Sequence, residues 1–337
     1  MIHARPNDLK ALALSIATAA LLAACGGGSG GSSSPAPDTQ TGKGWQPDSA
    51  GNITIRFGAY NGDTPIDCNS SLKLGTSQRA VRMADFRFYI ADVQLIKADG
   101  SKQPLKLKAT DDYNYASPDG KHSVSLIDLE SGTQGKCTQG STTVNAQIEG
   151  TAPAGLYTGV EMTLGVPFEL NHLNAADAAT PRVLQNAVHP AMSWAWRGGR
   201  KFTNIQFDQD RQADPAVWQT AEGDKDGQII LHLGSTGCVG NPAAGTPISA
   251  CKAPNRAAIT LRDFNPNTQL VAFDAGALFN HDIASTSEGD GACMSGPNDA
   301  ACAKPFSALG LDWKADGSGT GQPIAEPGQQ VLKAVTR

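Results

Sequence analysis

Short runs of alternating apolar and polar residues, closed by glycine and proline, recur along this chain. Ile53, Ile55 and Phe57 alternate with polar neighbours, as do Phe86, Phe88 and Ile90. Val93 and Leu95 continue the second run after a change of phase at Ala91-Asp92. Leu156 to Val166 alternates in the same way, Phe202, Ile205 and Phe207 form another set, and Ile229–Leu233 and Ile259–Leu261 are shorter. Alternation sends successive side chains to opposite sheet faces, so each run predicts a half-buried strand. Helical spacing is scarce. Val271–Phe279 and Pro305–Leu311 each predict one short helix or turn. Many short strands with Gly/Pro turns argue for an all-β fold, a single β-sandwich or barrel-like domain with long loops. No internal repeat or second linker divides it.

The first 44 residues do not fit that pattern. Arg5 and Lys10 are followed by an uncharged, mostly apolar stretch, Ala11–Ala24. That is shorter than the ~20 apolar residues of a spanning helix. It ends in Leu22-Ala23-Ala24-Cys25 and then Gly26-Gly27-Gly28. Small residues before a cleavage point read as an export signal, and a cysteine directly after them resembles a lipobox. Residues 1–24 are therefore expected to be a lipoprotein signal peptide, with Cys25 the lipidated first residue. Residues 25–44, rich in Gly, Ser, Pro and Thr, are expected to be a disordered tether. The folded domain is then 45–337, exported and lipid-anchored on the periplasmic side or at the outer membrane.

Charge and cysteine content narrow the chemistry. The net charge is −5 with no basic cluster outside the signal, which argues against nucleic acid as a partner. Without Cys25, six of the seven cysteines remain: Cys68, Cys137, Cys238, Cys251, Cys293 and Cys302. An even number in an exported chain implies disulfides. The sequence leaves the pairing open. Cys68–Cys137, Cys238–Cys251 and Cys293–Cys302 are favoured because the last two pairs would close short Gly/Pro/Asn-rich loops. Thiolate metal ligation is disfavoured, since no C-x-x-C pair is present and the exported compartment oxidises thiols.

Met192-Ser193-Trp194-Ala195-Trp196 concentrates two of five tryptophans and one of five methionines. On a strand covering 191–197, Met192, Trp194 and Trp196 share one face, and Gly198-Gly199 turns the chain toward a second strand near Lys201. Such a face is readily a core face, because large aromatics drive sandwich packing. The histidines offer another reading. His172 follows Asn171 after the apolar run Val166–Leu170. His189 lies three residues before Met192. His232 sits between Leu231 and Leu233 and so opposes their apolar face. Imidazole and thioether donors together suit copper, and no close-spaced ligand pair favours zinc. Tryptophan is a poor ligand, since its indole nitrogen is only a donor. Oxidative ring opening to kynurenine would expose an aniline nitrogen and a carbonyl oxygen.

Several segments share a family pattern: Phe86-Arg87-Phe88-Tyr89-Ile90, Gly165-Val166-Pro167-Phe168-Glu169-Leu170-Asn171-His172, the Met192–Trp196 stretch, His232-Leu233-Gly234-Ser235-Thr236-Gly237-Cys238, and Cys293-Met294-Ser295 through Cys302 with Ala308-Leu309-Gly310-Leu311. Together they resemble the MbnP-like copper-binding proteins, the metallo-mystery-pair four-Cys proteins, over about residues 50–313. The resemblance implies a periplasmic protein that binds copper through histidines and a kynurenine made from tryptophan. It also implies a di-haem cytochrome-c-peroxidase-like (MbnH-like) partner that oxidises that tryptophan. The residues carried over are His172, His232, Met192, Trp194 and Trp196, with either tryptophan a candidate for conversion. The family pattern has Tyr where this chain has Arg200, which leaves the local packing open.

Other chemistry finds little support. Asp224-Lys225-Asp226-Gly227 begins like a calcium loop but lacks the downstream ligands. No phosphate-binding loop or base–nucleophile arrangement is visible, and nothing requires an enzyme. The competing reading is a metal-free surface lipoprotein, an adhesin-like or carbohydrate-binding sandwich, with the tryptophans as core or as a sugar platform.

Overall fold

The long strand at the centre of the fold is Arg79–Lys97, nineteen residues that pair with neighbours along their whole length. In this computed structural model the residues described are 44–132, 137, 142–194, 199–210, 213, 228–283 and 292–337. They belong to one compact unit. The expected signal peptide, Cys25, the tether up to residue 43, Trp196 and the Asp224–Gly227 turn lie outside them.

In chain order the strands used below are β1 (Asn52–Asn61), β2 (Arg79–Lys97), β3 (Ser123–Asp128), β4 (Gln147–Thr151), β5 (Tyr157–Leu164), β6 (Ser193–Trp194), β7 (Gly199–Arg200), β8 (Thr203–Gln209), β9 (Gln228–Leu231), β10 (Thr236–Asn241), β11 (Thr246–Ala253), β12 (Ala257–Arg262), β13 (Gln269–Asp274) and β14 (Leu332–Thr336). One sheet runs β14-β13-β1-β4, with β1 and β13 parallel. The other runs β12-β5-β2-β8-β9, with β3 also on β2. Two hairpin ribbons, β6-β7 and β10-β11, stand apart from both.

The two sheets face each other across aromatic side chains, which makes the fold a sandwich. Phe273 on β13 meets Phe86 and Phe88 on β2 at 5.3 and 5.0 Å between ring centroids, and Phe57 on β1 meets Phe88 at 5.9 Å. Burying each such ring contributes about 2–3 kcal/mol, so this contact is a main reason the layers stay together. The alternation on β1 survives in the fold: Ile53, Ile55, Phe57 and Ala59 are buried, and the residues between them are not.

The phase change at Ala91-Asp92 is a β-bulge. Thr163 pairs with Ala91 and Glu161 with Gln94, so one residue of β5 faces two of β2. Asp92 takes up the extra residue at φ 51°, as bulges do.

Three sequence expectations need correction. Val271–Phe279 is not a helix or turn throughout: β13 runs to Asp274, and only Ala275–Leu278 is helical. Val271, Ala272 and Phe273 are fully buried between β1 and β14, and that packing decides the strand. The strand expected over 191–197 does not start at Ala191, which turns at φ 67°; β6 holds Ser193–Trp194, and 195–197 lie outside the described residues. Finally, β2 is not half-buried. Asp85 and Arg87 on its second face have no exposed surface. The segment 181–192 covers that face, where Tyr89 Oη donates to Val183 O at 2.9 Å and Arg87 Nη1 to Pro190 O at 3.0 Å.

Three disulfides form: Cys68–Cys137, Cys238–Cys251 and Cys293–Cys302. Among the described residues no helix is long and apolar enough to cross a membrane.

Candidate metal centre

Pro167 opens the one-turn helix Phe168–Asn171, and its carbonyl accepts the N–H groups of Leu170 and Asn171. His172 is the residue that ends this turn. Two buried side chains, Asn171 and Arg200, hold it there, each only 1% exposed. Asn171 Oδ1 accepts from Arg200 N at 2.8 Å. The amide nitrogen is thereby turned to Ser235 Oγ and to His172 Nε2, at 3.4 and 3.2 Å. With Nδ2 as donor, His172 Nε2 accepts and carries the ring lone pair. The Arg200 guanidinium donates to Leu184 O, Asn171 O and Leu173 O. It therefore clamps both ends of the 171–184 loop. Arg200 thus organises the His172 loop.

Trp194 reaches the same place from the β6-β7 hairpin, where Trp194 pairs with Gly199 and Ser193 with Arg200. Two glycines make room. A Cβ on Gly199 would sit 3.1 Å from the Asn171 amide and 3.3 Å from His172 Cε1. A Cβ on Gly234 would sit 2.2 Å from Trp194 Cζ3, so the indole rests on bare backbone there. His172 and Trp194 both line an open cavity of about 810 Å³, together with Phe168, Glu169 and the tip of the β10-β11 hairpin.

The remaining expected ligands are placed differently. His232 does not line this cavity. It lies two residues before Gly234, 5% exposed, with Leu231 and Leu233 on either side fully in the core. Its Nε2 is 2.9 Å from Gln206 Nε2, and its Nδ1 is buried with no hydrogen-bond partner. Burial first, and then the charges of Lys201 and Arg87, push its pKa down to about 3. It is therefore a neutral imidazole across the physiological range. Met192 is 1% exposed and belongs to the main hydrophobic cluster, which does not include Trp194. His189 is buried against Tyr113 with Nε2 on the Asp112 carbonyl, a structural role. Trp196 lies outside the described residues.

Behind His232 runs a buried polar chain that strand alternation did not suggest. Gln206 Nε2 donates to Asn204 Oδ1 at 2.8 Å, and Asn204 Nδ2 donates to Asp85 Oδ2 at 2.7 Å. Asp85 takes two hydrogen bonds from Arg87, at 2.9 and 2.5 Å. Burial opposes the Arg87 charge, but Asp85, Asp128 and Glu130 outweigh it and keep the guanidinium protonated. Glu130 is pushed up to about 8, by burial and then by the Asp85 and Asp128 carboxylates. Hydrogen-bonded networks of this kind orient the groups at their ends. The signal for Arg87 and Asn171 was present, since both stand inside the family-like segments.

The donor chemistry fits a copper-class ion. The His172 imidazole, a copper-class donor, shares the cavity with the Trp194 indole; His232 stands outside its lining, and the bond from Gln206 leaves the proton on its unpartnered Nδ1.

The family model described as MbnP matches residues 50–295. Among solved structures, MbnP from Methylosinus trichosporium is similar, with 29% sequence identity and a TM-score of 0.69. The match covers 85% of this chain and 98% of that one. No curated protein matches.

Proposed function

The chain belongs to the MbnP family, and from that premise we propose that it is an exported, lipid-anchored protein that binds copper. His172 and His232 supply imidazoles, and a tryptophan of the 194–196 stretch supplies a further donor after oxidation to kynurenine. Copper here is a soft, thiophilic and imidazole-binding ion that the chain holds; the role is binding, not catalysis. The observation that carries the reading is the cavity shared by His172 and Trp194, where a metal at His172 Nε2 would replace the hydrogen bond from Asn171.

The oxidation requires a partner, read here as a di-haem peroxidase-like protein with hydrogen peroxide as oxidant. Two peroxides open the indole ring to N-formylkynurenine and leave two waters. Hydrolysis then releases formate and gives kynurenine. The sugar-platform reading is disfavoured for Trp194, which is only 5% exposed.

The test is production with and without that partner. Copper binding should be weak alone and should rise after co-production. The intact mass should then gain two oxygens, or two oxygens less one carbonyl unit, mapped to Trp194 or Trp196. Strong copper binding with both indoles intact would exclude the kynurenine donor. No copper in either state would exclude the metal reading. Loss of membrane association in Cys25→Ser is the expected result for the anchor, and unchanged association would refute it.

A further inference from the structure

The three disulfides differ in their surroundings. Cys68, Cys137, Cys293 and Cys302 are each 4% exposed or less. Cys238 and Cys251 are half-buried and directly opposite each other on β10 and β11, a ribbon whose outer residues are mostly exposed. Thiol–disulfide exchange needs access to a sulfur, and exposed bonds are the labile ones. The Cys238–Cys251 bond is thus the first that a reductant reaches.

It also has a third donor beside it. His172 Nε2, the lone-pair nitrogen set by Asn171, is 3.4 Å from Cys251 Sγ. That nitrogen and the two sulfurs all lie within 4.8 Å of one another. Cys293–Cys302 has Asp299 in a similar position, but that bond is buried. Asp299 is moreover committed to the N–H groups of Met294 and Ala301.

We propose that Cys238–Cys251 is a reducible disulfide whose dithiol form, with His172, makes a two-sulfur, one-nitrogen site for copper(I). A dithiol reductant supplies two electrons and two protons. The S–S bond becomes two thiols, and the reductant becomes a disulfide. The thiols give up their protons when the metal binds. Thiolate and imidazole donors suit both copper(I) and zinc(II), and a set of three donors, short of the closed four of a structural zinc site, favours copper(I). The hairpin tip, Pro242, Gly245, Pro247 and Ile248, lines the cavity that His172 and Trp194 share, so the sulfur site sits beside the proposed copper site. The inference rests on that reading only in sharing His172. In the oxidised chain His172 serves the cavity, and in the reduced chain it serves the sulfurs.

The test begins with limited reduction of the full exported chain, then alkylation and peptide mapping. Cys238 and Cys251 should be labelled at least about tenfold sooner than the other four cysteines. Anaerobic titration with copper(I) against a chromophoric chelator, on chain produced without the oxidising partner so that the cavity site is weak, should then show one more equivalent in the reduced chain than in the oxidised chain. A thiolate-to-metal ultraviolet band should accompany it. The Cys238→Ser/Cys251→Ser variant should lose that equivalent and the band. His172→Gln should weaken the reduced site by at least the about tenfold to hundredfold that outer-shell changes cause at metal sites. Simultaneous reduction of all three disulfides would overturn the proposal, and so would an extra equivalent indifferent to His172→Gln. Copper bound by the oxidised chain is read separately, on chain co-produced with the oxidising partner. Its absence would count against the cavity site and leave the sulfur site standing.

Discussion

His232→Gln should make folding less sensitive to acid, and the size of the effect follows from burial. The imidazole has an ordinary pKa near 6.5 and is pushed down to about 3 in the fold. Between those values the unfolded chain binds a proton that the folded chain refuses. Stability therefore rises with pH through this window and falls on acidification. The contribution is intact above the unfolded value of about 6.5. One pKa unit corresponds to about 1.4 kcal/mol, so acidification from about pH 8 to about pH 5 should cost about 2 kcal/mol through His232 alone.

Glu130 works in the opposite sense. Its pKa is pushed up to about 8, so the folded chain gains a proton, and stability, as pH falls through that value. The wild-type profile mixes the two. The difference between wild type and His232→Gln cancels Glu130, because both proteins keep it. The assay is urea unfolding of both proteins, disulfides intact and metal chelated, at several pH values. The stability difference should change by about 2 kcal/mol between about pH 8 and about pH 5, at the expense of the wild type. A difference that stays flat would mean that His232 protonates freely in the fold and is not buried in the way described.

Two further substitutions test the loop that carries His172. Arg200→Met removes the donors to Leu184 O, Asn171 O and Leu173 O, and at about 1–3 kcal/mol for each buried group left unsatisfied it should destabilise the fold by about 3 kcal/mol or more; amide exchange over residues 171–186 should accelerate, and unchanged exchange would refute the clamp. Gly234→Ala places a methyl group 2.2 Å from Trp194 Cζ3 and 2.8 Å from Arg200 O, so it should cost about 1–3 kcal/mol as overpacking and shift the tryptophan emission; an unchanged emission spectrum would show that the indole does not rest on that backbone.

The strands that face the sandwich interior were legible because one rule governs them. Along β1 only one face is covered, so apolar and polar residues alternate as burial does. The same rule misreads β2, because segment 181–192 covers its second face and turns Asp85 and Arg87 from surface residues into buried ones. That covering segment has no regular periodicity, and nothing local announces where it docks. The short helix after β13 was overextended for a related reason: Val271–Phe273 is a continuous buried run, and length alone does not tell such a run from a helix.

The site was legible as a set of segments and not as a geometry. His172, Trp194 and His232 come from three separate stretches, and only the fold shows that Trp194 shares a cavity with His172 while Met192, two residues away, joins the core. The residues that aim His172 are polar side chains, Asn171 and Arg200, of the kind that pattern reading assigns to solvent. Their burial is compensated group by group. Every nitrogen of the Arg200 side chain meets a carbonyl of the 171–184 loop. A tyrosine at that position would offer one hydroxyl where the guanidinium offers five N–H donors. The loop in this chain therefore depends on a positive charge enclosed by backbone dipoles, and burial lowers the Arg200 pKa from its ordinary value. Lysine in its place would bring a point charge without the planar fork and could not bridge Leu184 and Asn171 together. The way His172 is held is thus a property of contacts between residues far apart in sequence.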